Sequence, residues 1–197
     1  MRWLWLLIFS AVLIWSAIAP KDYLTWLLEV VPALIGVVVL IATRKSFPLT
    51  SLLYGLILLH CIVLMVGGHY TYAEVPLFDI VKPWFGWHRN NYDKLGHFVQ
   101  GFVPALIARE VLIRKMIING QRWCNFLIVC VCLALSATYE LIEWLSAIIG
   151  GGSSEAFLGT QGDVWDTQSD MAMALVGAIC ALLFCSRWHD RQLRSLR

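Results

Sequence analysis

Charged side chains are scarce in this chain. Of its 197 residues only 14% are Asp, Glu, Lys or Arg, whereas 59% are hydrophobic, and the mean hydropathy is +0.72. Soluble domains carry about 25% charged and about 45–50% apolar residues. This scarcity excludes a water-soluble globular domain and predicts an integral membrane protein, because so much apolar surface is stable only in lipid.

A continuous basic stripe is also missing. The formal net charge is only +2, and the lysines and arginines form short clusters between apolar runs. Surfaces that bind nucleic acid concentrate positive charge on one face. We therefore exclude a nucleic-acid partner and expect membrane lipids as partners, while the sequence leaves the oligomeric state open.

Cysteine is absent from the two long polar segments, 67–94 and 146–170. All six cysteines lie within or at the ends of apolar runs, which excludes the disulfide framework of a secreted domain. Cys130 and Cys132 would point to different sides of a helix, so we expect them to pack as small apolar residues rather than to bind a metal. Internal repeats are missing too, which argues against a transporter built from inverted halves.

Six apolar stretches approach the length that crosses a membrane, about 20 residues for about 30 Å. They run from Trp3 to Ala19, Tyr23 to Ala42, Leu49 to Val66, Leu95 to Ile113, Trp123 to Leu145 and Met171 to Ser186. They predict an all-α fold in which residues 1–197 form one membrane domain, a bundle of about six helices. The alternative for the first stretch is a cleaved signal peptide, which Pro20 disfavours because it would follow the cut.

The distribution of lysine and arginine predicts the orientation of these stretches. With the N-terminus inside, the cytoplasmic side carries eleven basic residues, against four outside: Lys21, Lys82, Arg89 and Lys94. Basic residues accumulate on the cytoplasmic side of bacterial inner-membrane proteins. We therefore predict a multi-pass inner-membrane protein with both termini in the cytoplasm.

Ionisable residues gather at the predicted outer ends of the fourth and fifth stretches. Asp93 and His97 are four residues apart, and Glu140 and Glu143 are three apart. Both spacings place a pair on one face of a helix. Because ionisable groups near the hydrocarbon are costly, they are candidates for function.

Three aspartates lead into the sixth stretch, Asp163, Asp166 and Asp170. All three clusters fall on the same predicted side, so six carboxylates and one imidazole would converge there. Like charges at close range call for a divalent cation or for protonation of some members. The predicted catalytic residues are His97, Asp93, Glu140 and Asp170. The predicted ligands of a possible divalent metal are His97, Glu140, Glu143, Asp166 and Asp170.

Structural alternatives remain open for several of these residues. Asp166 or Thr167 is placed to cap the sixth helix, and Lys94 is placed to pair with one glutamate. Glu29 either extends the acidic site or meets Lys21. For His60, inside the third stretch, we expect a neutral ring hydrogen-bonded to another helix.

Three segments, Tyr92–Ala105, Tyr139–Trp144 and Phe157–Asp170, resemble the YjdF family of bacterial inner-membrane proteins. The resemblance covers nearly the whole chain. It implies a location in the inner membrane and a helical fold rather than a particular reaction.

A more distant similarity is to VanZ-like membrane proteins of the cell envelope. The positions that follow their pattern are Asp93, Lys94, His97, Phe98, Glu140, Asp170 and Gly177. Glu143 and Ala174 replace the usual glutamine and asparagine, and the arginine that precedes the aspartates has no counterpart between Gly150 and Asp170. The resemblance implies an envelope lipid or a lipid-linked molecule as substrate.

These observations leave three functions in competition. The first is a membrane enzyme with an acid-rich, metal-assisted site at the outer rim. The second is a small cation- or proton-linked transporter, and the third is a non-catalytic envelope scaffold. A polar path continuing from the rim through Glu29, His60 and Gln100 to the cytoplasm would favour transport.

Overall fold

A computed structural model describes residues 2–150 and 160–196. In this part of the chain the secondary structure is helical, with no β-strand. The helices are α1 (Arg2–Ala17), α2 (Tyr23–Thr43), α3 (Ser51–Tyr70), α4 (Pro76–Val81), α5 (Tyr92–Arg114), α6 (Gln121–Gly150), α7 (Asp166–Cys180) and α8 (Ser186–Ser195). A 3₁₀ turn, Lys82–Phe85, follows α4, and a π-helical segment, Ala181–Cys185, joins α7 to α8.

Four helical stretches are long and apolar enough to cross a membrane. They are Tyr23–Thr43, Ser51–Tyr70, Gln121–Ile149 and Asp166–Ser195. The prediction of an all-α membrane protein is confirmed, while the count of six spans stays a prediction. Of the two other predicted spans, α1 is a shorter apolar helix and α5 carries charged residues at both of its ends.

Several helices extend beyond the predicted apolar stretches. The segment from Ser146 was predicted as loop, but α6 continues to Gly150, and 151–159 lie outside the described residues. The sixth stretch begins earlier, at Asp166, and its basic tail stays helical to Ser195. The tail remains ordered because His189 and Leu193, four residues apart on one face of α8, are buried.

Helix α5 lies at the centre of the fold, where it packs against α3, α6 and most closely against α7. Two glycines permit that close approach. A Cβ on Gly101 would collide with the backbone of Ala174, and one on Gly177 would collide with the carbonyl oxygen of Phe98. Small residues let helix backbones approach in this way in membrane bundles. Asp170 lies on the same face of α7 as Ala174 and Gly177, so the crossing turns its carboxylate towards α5.

Candidate functional site

The imidazole of His97 lies among three carboxylates from three helices. Its Nε2 is 3.5 Å from Asp93 Oδ1 on α5, 3.6 Å from Glu140 Oε1 on α6 and 4.0 Å from Asp170 Oδ1 on α7. All four residues are buried, with at most 7% of their surface exposed. The side chains of His97, Glu140 and Asp170 therefore meet in one polar cluster, which we call the acidic site together with Asp93.

The other ring nitrogen of His97 fixes the orientation of the imidazole. Nδ1 lies 3.0 Å from Gln100 Oε1, one turn further along α5. The amide oxygen can only accept a hydrogen bond, so Nδ1 carries the proton and donates to it. This bond leaves Nε2, the atom facing the carboxylates, with a lone pair for a proton or a metal ion.

The donor atoms of the acidic site match the demands of a small divalent cation. Ligand atoms of Asp93, His97 and Asp170 all lie within 4.8 Å of one another. Tetrahedral ligands at about 2.1 Å from zinc stand about 3.4 Å apart, so only small side-chain shifts separate this cluster from such a geometry. Glu140 Oε1 points to the same place, is buried and accepts no hydrogen bond from any described residue.

Two basic side chains, Lys94 and Arg89, pair with the aspartates of this region. Lys94 Nζ lies 2.7 Å from both Asp166 Oδ1 and Asp170 Oδ1, so it pairs with aspartates rather than with the predicted glutamate. Arg89, predicted only as an outer basic residue, contacts Asp93, Asp163 and Asp166. It approaches the aspartates from the segment before α5.

The other predicted acids have distinct positions. Asp166 is the first residue of α7, but its side chain makes no capping bond and turns to Arg89 and Lys94. Asp163 Oδ1 instead accepts from the backbone N–H of Trp165, at 2.9 Å, within a turn. Glu143 is buried and lines a polar cavity beside His97.

Two hydrogen bonds between the side-chain amide of Gln161 and the backbone of Asn90 hold the loop before α7 against the start of α5. The side-chain oxygen of Gln161 accepts from the N–H of Asn90 at 2.9 Å, and its amide nitrogen donates to the carbonyl of Asn90 at 2.8 Å. This reciprocal pair brings Arg89, next to Asn90, within reach of Asp166. Sequence spacing gave no signal for it, since the partners are 71 residues apart.

The polar cavity continues inward from His97 and has a volume of about 90 Å³. Its polar lining residues are Glu29, His60, Tyr72, Asp93, His97, Gln100, Tyr139 and Glu143. Glu29 extends the acidic site and accepts a hydrogen bond from the hydroxyl of Tyr139 at 3.0 Å. It does not meet Lys21, which pairs with Glu74 at 2.6 Å; that hydrogen bond raises the pKa of Lys21.

His60 departs from its expectation. The predicted hydrogen bond to another helix is not found among the described residues. The ring lies at the inner end of the polar cavity instead. Helix spacing could not reveal this position, because it depends on how α2 and α5 pack against α3.

A second buried polar cluster, around His189, was not predicted from the sequence. His189 Nε2 lies 2.9 Å from Glu110 Oε2, and the hydroxyl of Thr50 donates to the same oxygen at 2.8 Å. Arg109 donates to Asp190 at 2.7 Å. His189 and Glu110 are both fully buried, so this cluster attaches the C-terminal helix to α5. The signal available in the sequence was an acid and a histidine at the predicted cytoplasmic ends of the fourth and sixth apolar stretches.

Comparisons with known proteins agree with this architecture. Residues 1–191 match the family described as "Predicted membrane protein (DUF2238)". The chain is 56% identical over 185 residues to the inner membrane protein YjdF of Escherichia coli (strain K12), covering 94% of this chain and 88% of that protein. No solved structure matches. The chain therefore belongs to the YjdF family of inner-membrane proteins.

Proposed function

We propose that the acidic site is a reaction site at which a divalent cation assists chemistry on an envelope lipid or a lipid-linked molecule. The observation that carries the proposal is the convergence of Asp93, Glu140 and Asp170 on His97 Nε2, with the opposite ring nitrogen bonded to Gln100. Metal-binding histidines are usually oriented by such a second hydrogen bond.

The proposal includes a topology of six spans with both termini in the cytoplasm and the acidic site at the outer surface. It is supported by the eleven-to-four division of basic residues. It is supported too by the length of α5, whose 23 residues extend about 35 Å. Because α5 packs against α3, α6 and α7, its charged residues lie among protein side chains instead of facing lipid.

Each residue of the site has a role in this proposal. Asp93, His97 and Asp170 hold the cation, with Glu140 as a further ligand or as the acid. A bound divalent ion polarises an oxygen of the substrate or activates a water molecule. His97 acts alternatively as the general base, since its Nε2 is the ring nitrogen that faces the acids. Lys94 and Arg89 hold the aspartates in place.

The extent of the polar residues favours a local site over a transport path. Glu29, His60 and Gln100 extend the site inward, and the larger cavity beyond them is lined mainly by apolar side chains. On α5 the next ionisable residue after His97 is Arg109, twelve residues and about 18 Å along the helix. A proton relay would need closer steps along its path.

Metal content and complementation test the proposal together. We expect the purified protein to retain one equivalent of a divalent cation by mass spectrometry of its metals. His97→Ala, Asp93→Asn and Asp170→Asn should lose the metal, and Glu140→Gln should lose the envelope phenotype, with membrane abundance unchanged. Asp79→Asn is the matched control, because that carboxylate is 45% exposed and pairs with Lys82, outside the acidic site. Full complementation by all four site variants would instead support a scaffold.

A further inference from the structure

A second and much larger cavity lies between α2, α3 and α5. Its volume is about 580 Å³, within the range of about 300–1,000 Å³ typical of ligand sites. Gly36 and Leu40 on α2, Ile57 on α3 and Ile107 on α5 are among its lining residues. Along α2 it extends from Pro32 to Thr43, about 16 Å, so its shape is that of an elongated apolar groove.

The apolar groove adjoins the polar cavity of the acidic site. Pro32, His60 and Leu64 line both cavities. An elongated molecule that occupied both cavities would pass these three residues. Its polar end would lie beside Asp93 and His97, and its apolar part would lie along α2.

His60 stands at this junction without a hydrogen-bonding partner in the described part of the chain. A neutral imidazole offers one donor and one acceptor, and polar groups away from water normally find partners. A polar linkage between the head and the chain of a lipid would supply that partner. The surrounding apolar residues supply none.

The two ends of the groove differ in charge. Glu29, Asp93 and Glu143 line the polar cavity, so this end favours a group that donates hydrogen bonds or carries a positive charge. At the far end the groove is lined by Phe47 and Lys115, and the Lys115 ammonium lies 5.5 Å from the centre of the Phe47 ring. The Arg114 guanidinium stacks on the same ring, at 3.8 Å.

We propose that the groove binds one hydrocarbon chain of an amine-headed membrane lipid, with the amine in the polar cavity next to the acidic site and the polar linkage beside His60. This proposal rests on the proposed function and specifies its substrate class. The acidic residues select the head group, and the groove selects a long chain.

Gly36 and Gly55 offer a matched pair of variants. A Cβ at either glycine would meet no atom within 4 Å. Gly36 lines the groove, whereas Gly55 is an exposed residue of α3 that does not line it. Leucine at position 36 would fill the groove, and leucine at position 55 would not. Both changes favour the helix, because leucine has the higher helix propensity.

Photocrosslinking tests the proposal. The full-length protein in lipid nanodiscs is labelled with phosphatidylethanolamine that carries a diazirine midway along one chain, and the labelled peptides are identified by mass spectrometry. We expect labelling of α2, α3 and α5 along the groove. Gly36→Leu should reduce it about tenfold, because one space cannot hold both a side chain and a lipid chain, and Gly55→Leu should leave it unchanged.

A second variant and a second lipid probe distinguish failure of the groove proposal from failure of the proposed function. Ile107→Trp blocks the groove from α5 and replaces Gly36→Leu if that variant does not fold. Labelling spread over the lipid-facing surface and insensitive to both variants would overturn the groove proposal, even where the acidic-site variants lose the envelope phenotype. Equal labelling by a phosphatidylglycerol probe would overturn the assignment of the amine. Labelling that depends on Gly36 in a protein whose acidic-site variants complement fully would support the groove and contradict the proposed function.

Discussion

Lys94 and Lys21 both pair with carboxylates, but in different surroundings. The side chain of Lys94 is 15% exposed and lies between Asp166 and Asp170. The side chain of Lys21 is 54% exposed and pairs with the equally exposed Glu74. A carboxylate left unpaired in a buried site costs far more than one left unpaired in water.

We therefore predict unequal effects for the same substitution at the two lysines. Lys94→Met should lower the free energy of unfolding in detergent by about 3 kcal/mol, because two buried aspartates lose their ammonium partner. Lys21→Met, the control, should cost at most about 1 kcal/mol. Adding Asp166→Asn to Lys94→Met should recover part of the loss. Equal effects of the two lysine changes would contradict the buried pairing.

The side chain of His189 connects the C-terminal helix α8 to α5. Its ring is fully buried against Glu110. We predict that His189→Ala leaves Glu110 with one partner fewer and a small cavity, so that α8 detaches more readily. Hydrogen exchange of 186–196 should then accelerate, while the exposed Arg191→Ala should leave it unchanged. Unaltered exchange in His189→Ala would mean that other contacts hold the helix.

At the scale of the elements, the crossing of α5 and α7 controls the acidic site. The two helices approach through Gly101 and Gly177, at backbone distances that exclude a Cβ. The same crossing places Asp170 opposite His97. Any side chain inserted at the crossing therefore moves a predicted metal ligand as well as a helix.

We predict that Gly101→Ala and Gly177→Ala each destabilise the protein by about 2 kcal/mol, because the added methyl group meets backbone atoms that cannot move away cheaply. Gly55→Ala is the control, since nothing lies near its Cβ position. Thermal unfolding in detergent measures all three. Both variants at the crossing should also bind the proposed cation more weakly. Unchanged stability in these variants would contradict the close approach of α5 and α7.

At the scale of the whole molecule, α5 has a polar cluster at each end. His97 belongs to the acidic site, and Glu110, thirteen residues and about 20 Å further along, belongs to the cluster around His189. The proposed topology places the first cluster at the outer surface and the second at the cytoplasmic surface. The apolar groove extends from beside the polar cavity to the level of the second cluster.

Reporter fusions test this topology. A fluorescent protein fused after Arg197 should fold and fluoresce, and a periplasm-dependent phosphatase fused at the same residue should be inactive, because both termini are expected in the cytoplasm. The paired fusions after Gly86, between α4 and α5, should give the reverse result. Phosphatase activity after Arg197 would contradict the six-span proposal.

Much of the helical framework could be predicted from the sequence. Lipid offers no hydrogen bonds to the backbone, so a long apolar run is restricted to a helix, and α2, α3 and α6 appear close to their predicted positions. Helix boundaries were less predictable. Helix α6 continues to Gly150, and α7 begins at Asp166 because Asp166 and Asp170 pair with Lys94 of the neighbouring helix. The pairing of Asp93 with His97 follows from local spacing alone.

The sequence by itself determined that this protein is a helical membrane protein and which polar residues share a helix face, since both depend on interactions within a few residues. Only the tertiary structure decided which faces meet. Lys94 pairs with Asp170 across 76 residues of sequence, and His189 reaches Glu110 across 79. Such contacts depend on the rotation and spacing of packed helices, which close approach at Gly101 and Gly177 sets and local propensity does not encode.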